Sequence, residues 1–265
     1  MSRSVTSRDG TRIAFDRVGS GPAVILVAGA FQFRAFDEPT VELAALLAEQ
    51  GFTVVNYDRR GRGESGPTGP GSLDREIEDV AALVEEVGGA AALYGSSSGA
   101  AIALWAATRD IGVTALALWE PPLALEEEGG AFADELQRLI DAGRHERAVE
   151  YFMKDMPPEW LEGSKAGPAW PVMVDIAPSL AGDAVALARS QGGGESWEKR
   201  WASVTVPTLV LTGAETLPIF PAAAEALVQA LPDARWETIS AGGHGWEPPV
   251  MAAALTSFLR AARRR

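Results

Sequence analysis

The sequence predicts an α/β fold, in which a mostly parallel sheet carries helices on both faces and is interrupted by a helical insertion. Three observations predict it. Short continuous apolar runs such as Ala23-Val24-Ile25-Leu26-Val27 recur along the chain, as expected of strands buried on both faces of a sheet. Segments of helical periodicity alternate with them at the spacing of successive β-α units. Between residues 123 and 203 the strand signal disappears while helical stripes continue.

The elements follow in order. Asp9-Gly10 is a turn signal ahead of the alternating Thr11, Ile13 and Phe15, so the chain opens as a hairpin. Gly19 to Pro22 break the chain before the strand over 23–27. A helix spans 39–50, with Leu43, Leu46 and Leu47 on one face and Gly51 as its stop. A strand over 52–57 comes next. Leu73, Ile77, Val80, Leu83, Val84 and Val87 form a helical stripe that Ser72 caps and Gly88-Gly89 end. Strand 90–94, helix 98–109 and strand 113–118 complete the first half. After Pro121-Pro122, stripes such as Phe132, Leu136, Leu139 and Ile140 carry the helical insertion, which holds Trp160, Trp170, Trp197 and Trp201. Strands over 208–212 and 235–239, with helices near 221–230 and 249–263, restore the first pattern. The organisation expected is a core over 1–122 and 204–265, with a helical cap over 123–203.

Bulk properties narrow the function classes. At 265 residues and 47% hydrophobic content the chain buries a sizeable core. A net charge of -13 argues against nucleic acid, whose phosphates are bound by clustered Lys and Arg. With no cysteine and two histidines, thiol nucleophiles, disulfides and His-rich metal sites are not expected. No apolar run is long enough to span a bilayer, and residues 1–10 lack the apolar segment of a secretory signal. The expectations are a cytoplasmic monomer or homodimer that acts on a small molecule, with no cofactor, metal, nucleic acid or membrane.

The sharpest motif is Gly95-Ser96-Ser97-Ser98-Gly99, a G-x-S-x-G between an apolar strand and an alanine-rich helix, as a nucleophile elbow requires. The turn tolerates only small residues two before and two after the nucleophile. Of the three serines only Ser97 has glycine at both places. A phosphate-binding loop would need Gly-Lys-Ser/Thr, and no lysine stands here. The Ser98 N–H, opening the helix, is positioned to stabilise an oxyanion.

With three further segments the chain resembles the α/β-hydrolase superfamily over nearly its whole length. Val27-Ala28-Gly29-Ala30 stands where the family has its His-Gly oxyanion segment, with Ala28 in place of the histidine. Residues 57–65, Tyr-Asp-Arg-Arg-Gly-Arg-Gly-Glu-Ser, match the D-x-R-G-x-G-x-S stretch, and Ser240 to Gly245 match the C-terminal histidine loop. The Gly29-Ala30-Phe31 and Trp119-Glu120-Pro121-Pro122 segments are similar to those of a bacterial group of such hydrolases. The resemblance implies a serine hydrolase, the Ala30 N–H as second oxyanion donor, and a structural role for Asp58, Arg59 and Arg62.

A serine hydroxyl needs a base to take its proton. His145 falls in the helical insertion, whereas His244 lies in the glycine-rich loop after the last strand, at the family's catalytic position. The orienting acid is open. Thr216 occupies the position where the family has aspartate. Glu120, at the end of the strand after the elbow, is the superfamily's alternative acid position, and its carboxylate is costly to bury without a partner such as the His244 imidazole. Glu215 is the rival. The insertion leaves the core just after Glu120 and is expected to fold over Ser97, with Phe31, Phe33, Trp160 and Trp170 as pocket walls. The expected reaction is hydrolysis of an ester, lactone or thioester of a small, largely apolar substrate through an acyl-enzyme. The same triad also serves C–C hydrolysis, perhydrolysis or a lyase step, and the missing aspartate leaves a non-catalytic binding protein as a third reading.

Overall fold

A computed structural model of the protein describes residues 2–124, 129–191 and 194–264. The first half runs through β1 (Arg3–Thr6), β2 (Arg12–Gly19), β3 (Ala23–Val27), α1 (Glu38–Glu49), β4 (Thr53–Tyr57), α2 (Leu73–Glu86), β5 (Ala91–Ser96), α3 (Ser98–Ala107) and β6 (Val113–Trp119). Helices α4 (Gly129–Asp141), α5 (His145–Phe152), α6 (Pro158–Ala166), α7 (Trp170–Asp175), α8 (Leu180–Gln191) and α9 (Trp197–Arg200) follow. The chain closes with β7 (Thr208–Glu215), α10 (Ile219–Ala230), β8 (Ala234–Gly242) and α11 (Pro248–Ala262).

Among the described residues the strands form one sheet in the order β1-β2-β4-β3-β5-β6-β7-β8. The β1–β2 and β2–β4 pairs are antiparallel and every other pair is parallel. The opening hairpin turns through Asp9-Gly10, closed by the Ser7 N–H on the Thr11 carbonyl at 2.8 Å. Alternate residues of the central strands feed two cores. Ile25 and Val27 face one side, packed with α2, α3 and α10. Val24 and Leu26 face the other, packed with α1 and α11. Each fully buried aliphatic side chain contributes at most about 1.5–3 kcal/mol. Those two layers hold the strand ends that carry the site.

Helix α2 shows how much a sequence stripe leaves unsaid. Its apolar positions Leu73, Ile77, Val80, Leu83 and Val84 are buried as their spacing requires. Glu76 and Asp79 are buried beside them, because the Arg59 and Arg60 guanidiniums pair with them at 2.8 and 2.6 Å. Between β6 and β7 the described residues hold helices and no strand. They build a third apolar cluster around Leu136, Val149, Met173 and Leu180, with Ala30 and Phe31 packed against it. Among the described residues no helix is long and apolar enough to cross a membrane.

Candidate active site

The site gathers where parallel strands end. The sharp turn from β5 into α3 carries Ser97, whose N–H donates to the Trp119 carbonyl at 2.8 Å, and Glu120 follows β6 with its N–H on Leu211 at 2.9 Å. Neighbouring strands thus deliver the two residues to one edge of the sheet, outside the carboxyl ends of the strands. A side chain at Gly95 would run into the Ala100 backbone, and one at Gly99 would fall on the Val27 carbonyl. Both flanking glycines are required by contact.

Backbone strain marks the same residues. Among the described residues only Phe31 (φ 63°), Ser97 (φ 54°), Glu120 (φ 39°) and His244 (φ 67°) are non-glycines with positive φ. Each such conformation costs on the order of 1–3 kcal/mol and persists only where the surroundings enforce it. All four belong to this site.

Glu120 is fully buried and its Oε2 lies 2.5 Å from the His244 Nδ1. Its other oxygen accepts the Gly213 N–H at 2.9 Å and the Thr216 hydroxyl at 2.5 Å. Burial pushes this carboxyl up, but the His244, Thr216 and Gly213 hydrogen bonds outweigh it and hold the group below its ordinary value. Thr216, at the position the family fills with aspartate, donates to the carboxylate that has moved to the neighbouring strand. Glu215, the rival, is exposed at the end of β7, and its carbonyl accepts the Gly243 N–H at 3.1 Å. Two aromatic rings lie nearly parallel to the His244 ring. Phe220 stacks at 4.6 Å and 5°, and Trp160 at 6.2 Å and 18°. The indole N–H of Trp119 donates to the His244 carbonyl at 3.2 Å. The ring is thus held by an acid at Nδ1 and by stacked aromatic planes. His145 begins α5, away from these groups.

The oxyanion segment is held by a buried ionic network that sequence reading did not reveal. Arg59 donates to the Ala28 carbonyl at 3.2 Å, and Arg62 to the carbonyls of Gly29 and Gln32 at 2.5 and 3.1 Å. Both guanidiniums converge on Asp183 of α8 at 2.5 Å, and Arg59 also pairs with Glu76. The Ser98 hydroxyl donates to Asp183 at 2.6 Å and accepts the Ala30 N–H at 2.9 Å. Burial pushes the Asp183 carboxyl up, and the two guanidiniums bring it back below its ordinary value. Burial and the neighbouring Arg59 push Arg62 down to about 10, so it remains a cation at neutral pH. Arg59 and Arg62 therefore do more than brace a loop. The Ala30 N–H, the expected second oxyanion donor, is paired with the Ser98 Oγ, whose own proton goes to Asp183. Asp58 keeps its expected bracing role, accepting the Arg34 and Glu64 backbone N–H groups at 2.9 and 2.8 Å.

Ser97, Ser98, Ala30 and His244 open on a cavity of about 1240 Å³. Phe31 and Trp160 line it as expected, together with Phe220 and Met153. Phe33 and Trp170 do not. Phe33 stacks on Phe36 at 5.4 Å instead, in a turn closed by the Phe36 N–H on the Phe33 carbonyl at 2.9 Å. Trp170 packs within the helical cluster under the Lys165 ammonium at 5.6 Å. Trp197 and Trp201 are buried in the core, where Trp201 meets Trp105 at 4.9 Å. Among the described residues no three His, Asp or Glu side chains are grouped to hold a metal ion. Asp183 had one visible signal, a lone acid in the small apolar run Leu180-Ala181-Gly182-Asp183-Ala184. Phe220 had none.

Residues 24–255 match the model of the alpha/beta hydrolase family. An alpha/beta hydrolase from Sphaerobacter thermophilus is 38% identical, with 97% of this chain and 100% of that chain covered at a TM-score of 0.86. A hydrolase from Pseudomonas aeruginosa is similar at 23% identity, 97% and 98% coverage and TM-score 0.76. A thermophilic esterase from Thermogutta terrifontis follows at 22% identity, 99% coverage of both chains and TM-score 0.73. No curated protein sequence matches the chain at a significant level. The chain belongs to the alpha/beta hydrolase family.

Proposed function

From that membership we propose that the protein is a serine hydrolase that cleaves an apolar ester, lactone or thioester through an acyl-enzyme. The observation that carries the reading is the His244–Glu120 hydrogen bond at 2.5 Å beside a nucleophile elbow that opens on the same cavity. In this reading Ser97 Oγ attacks the carbonyl carbon while its proton passes to His244 Nε2. Glu120 fixes the ring with Nδ1–H toward itself and stabilises the imidazolium. The oxyanion is received by the Ser98 N–H, which has no intrahelical acceptor at the start of α3, and by the Ala30 N–H. Collapse of the tetrahedral intermediate expels the alcohol or thiol, which takes the proton from His244. Water then attacks the acyl carbon and loses its proton to the same nitrogen; collapse of the second intermediate breaks the bond to Ser97 Oγ, which takes that proton back as the acid leaves.

The helices between β6 and β7 act as the cap in this reading. Phe31, Phe132, Phe152, Met153, Met156 and Trp160 give the cavity an apolar wall, which suits an acyl chain or ring. At about 1240 Å³ the cavity exceeds the volume of a small ester, so the preferred substrate is larger than a short-chain one. Several solved structures of this fold are named as esterases or as an enol-lactonase, which supports acyl transfer over the other chemistries of the fold. The non-catalytic reading loses its one support, since Glu120 makes the hydrogen bond that a missing aspartate would have left unmade.

The test is a fluorophosphonate probe with a panel of p-nitrophenyl esters of rising chain length. Wild-type protein is expected to be labelled, and Ser97→Ala to lose both labelling and roughly 10⁴-fold or more of its turnover. Ser96→Ala keeps its labelling. Folded wild-type protein that resists the probe sinks the serine-hydrolase reading.

A further inference from the structure

The Ala30 N–H, the amide the reaction needs, is bonded before any substrate arrives, and its partner belongs to a chain of groups reaching into the helical insertion. The Asp183 carboxylate accepts the Ser98 hydroxyl proton at 2.6 Å, which leaves a Ser98 lone pair for the Ala30 N–H at 2.9 Å. The peptides on either side are tied from the same source. Arg59 holds the Ala28 carbonyl and Arg62 holds those of Gly29 and Gln32, while both guanidiniums rest on Asp183. The Gly29 N–H is fixed by the Gln32 side chain at 2.8 Å, and Gln32 by Asp37 at 2.7 Å. Two consecutive peptides, 28–29 and 29–30, thus have both their polar groups set by side chains. Ser98 is 1% exposed, and Arg59 and Asp183 are 0% exposed. Water therefore has little part in this holding.

We propose that Ser98 and Asp183 are positioning residues for the oxyanion hole, with the Ser98 hydroxyl orienting the Ala30 amide and Asp183 orienting that hydroxyl. The Ser98 residue then serves twice, its N–H as a donor to the oxyanion and its Oγ as the holder of the second donor. Preorganised donors are effective because they do not have to turn as charge develops. An amide already fixed by a neutral oxygen meets that condition. When the oxyanion forms, the amide shares its proton between Ser98 Oγ and the oxyanion in a three-centre bond, with no movement of the loop. Asp183 lies on α8, so the insertion contributes to the oxyanion hole as well as to the cavity wall.

The inference rests on the serine-hydrolase reading, and the test separates the two. Wild type, Ser98→Ala, Asp183→Asn and the double variant are compared for turnover of a p-nitrophenyl ester and for inhibition by phenylboronic acid. Boron accepts the Ser97 oxygen, becomes tetrahedral and anionic, and the serine proton moves to His244. In folded Ser98→Ala, kcat is expected to fall about tenfold, less than the roughly hundredfold for deleting a donor outright. KM stays within about twofold, and boronate affinity falls in the same ratio as kcat. A substitution that only loosened packing would lower the melting temperature without that matched loss. Asp183→Asn lowers kcat in the wild-type background, and the double variant loses less than the product of the two single losses, since part of the Asp183 effect passes through Ser98 and part through the two guanidiniums. Unchanged or improved kcat and boronate affinity in Ser98→Ala overturn the proposal while wild-type turnover keeps the hydrolase reading intact. Additive losses in the double variant remove Asp183 from it. If Asp183→Asn fails to fold, Ser98→Ala still decides the role of the hydroxyl.

Discussion

Two carboxylates are fully buried at the nucleophile elbow, Glu120 through His244 and Asp183 through Ser98, and they are neutralised in different ways. Glu120 accepts from an imidazole, a hydroxyl and a backbone N–H, so no permanent cation is among its bonded partners. Asp183 accepts from two guanidiniums and a hydroxyl. Burying a charge without a partner is expensive, and the two sites meet that cost on different terms. Around Asp183 compensation is permanent, which suits a group that holds a loop still. In the proposed reaction the imidazole beside Glu120 gains a proton, and the buried charge is fully compensated at that step. Equal burial therefore does not mean equal role; the titratable character of the partner decides.

The contrast can be broken most sharply at Glu120. Glu120→Gln keeps the shape but removes the charge and the correct ring tautomer, and kcat is expected to fall roughly 10³–10⁴-fold. Glu215→Gln should leave kcat within about twofold. Full activity in folded Glu120→Gln ends the assignment. Next in size is Asp183→Ala, which strands two buried guanidiniums beside Glu76 alone. A loss of about 3–5 kcal/mol is expected, read as a shift of the denaturant midpoint at unchanged slope, and larger than the shift in Glu120→Gln. A smaller effect tests the stacked imidazole. Phe220→Leu removes one aromatic plane, worth about 0.5–1.5 kcal/mol, and kcat should drop by a few-fold with KM little changed.

The smallest expected effect is on acid stability. Both carboxyls titrate below their ordinary values of 4.5 and 3.8 in the folded protein. The unfolded chain therefore binds protons first as pH falls, and the stability these groups supply is present above those values and lost on acidification below them. Unfolding free energy measured at a series of acidic pH values should decline below about pH 4.5, and Glu120→Gln should show a shallower decline. A slope unchanged in Glu120→Gln shows that the Glu120–His244 pair contributes nothing there.

Much of the fold was legible. The strands at 23–27 and 113–118 and the stripe of α2 follow from period and capping alone, because burial on two faces or on one stripe leaves a local pattern. Ser97 and His244 were legible for a related reason. The elbow needs glycines at fixed offsets, and two histidines leave few choices. Phe33 and Trp170 failed as pocket residues because hydrophobicity says that a ring is buried and not against what. The acid stayed open between Glu120 and Glu215, which differ in tertiary neighbours and not in chemistry.

What the sequence determined by itself was therefore local: the order of strands and helices, the tight turn at Ser97 and the loop that carries His244. Tertiary structure decided the pairings. It brought β6 beside β7, so that Glu120 met Gly213, Thr216 and His244, and it laid α8 over the oxyanion segment, so that Asp183 met Arg59, Arg62 and Ser98. Partners 85 to 124 residues apart leave no periodicity and no fixed offset. Only the packed chain excludes the water that would otherwise weaken each of these bonds.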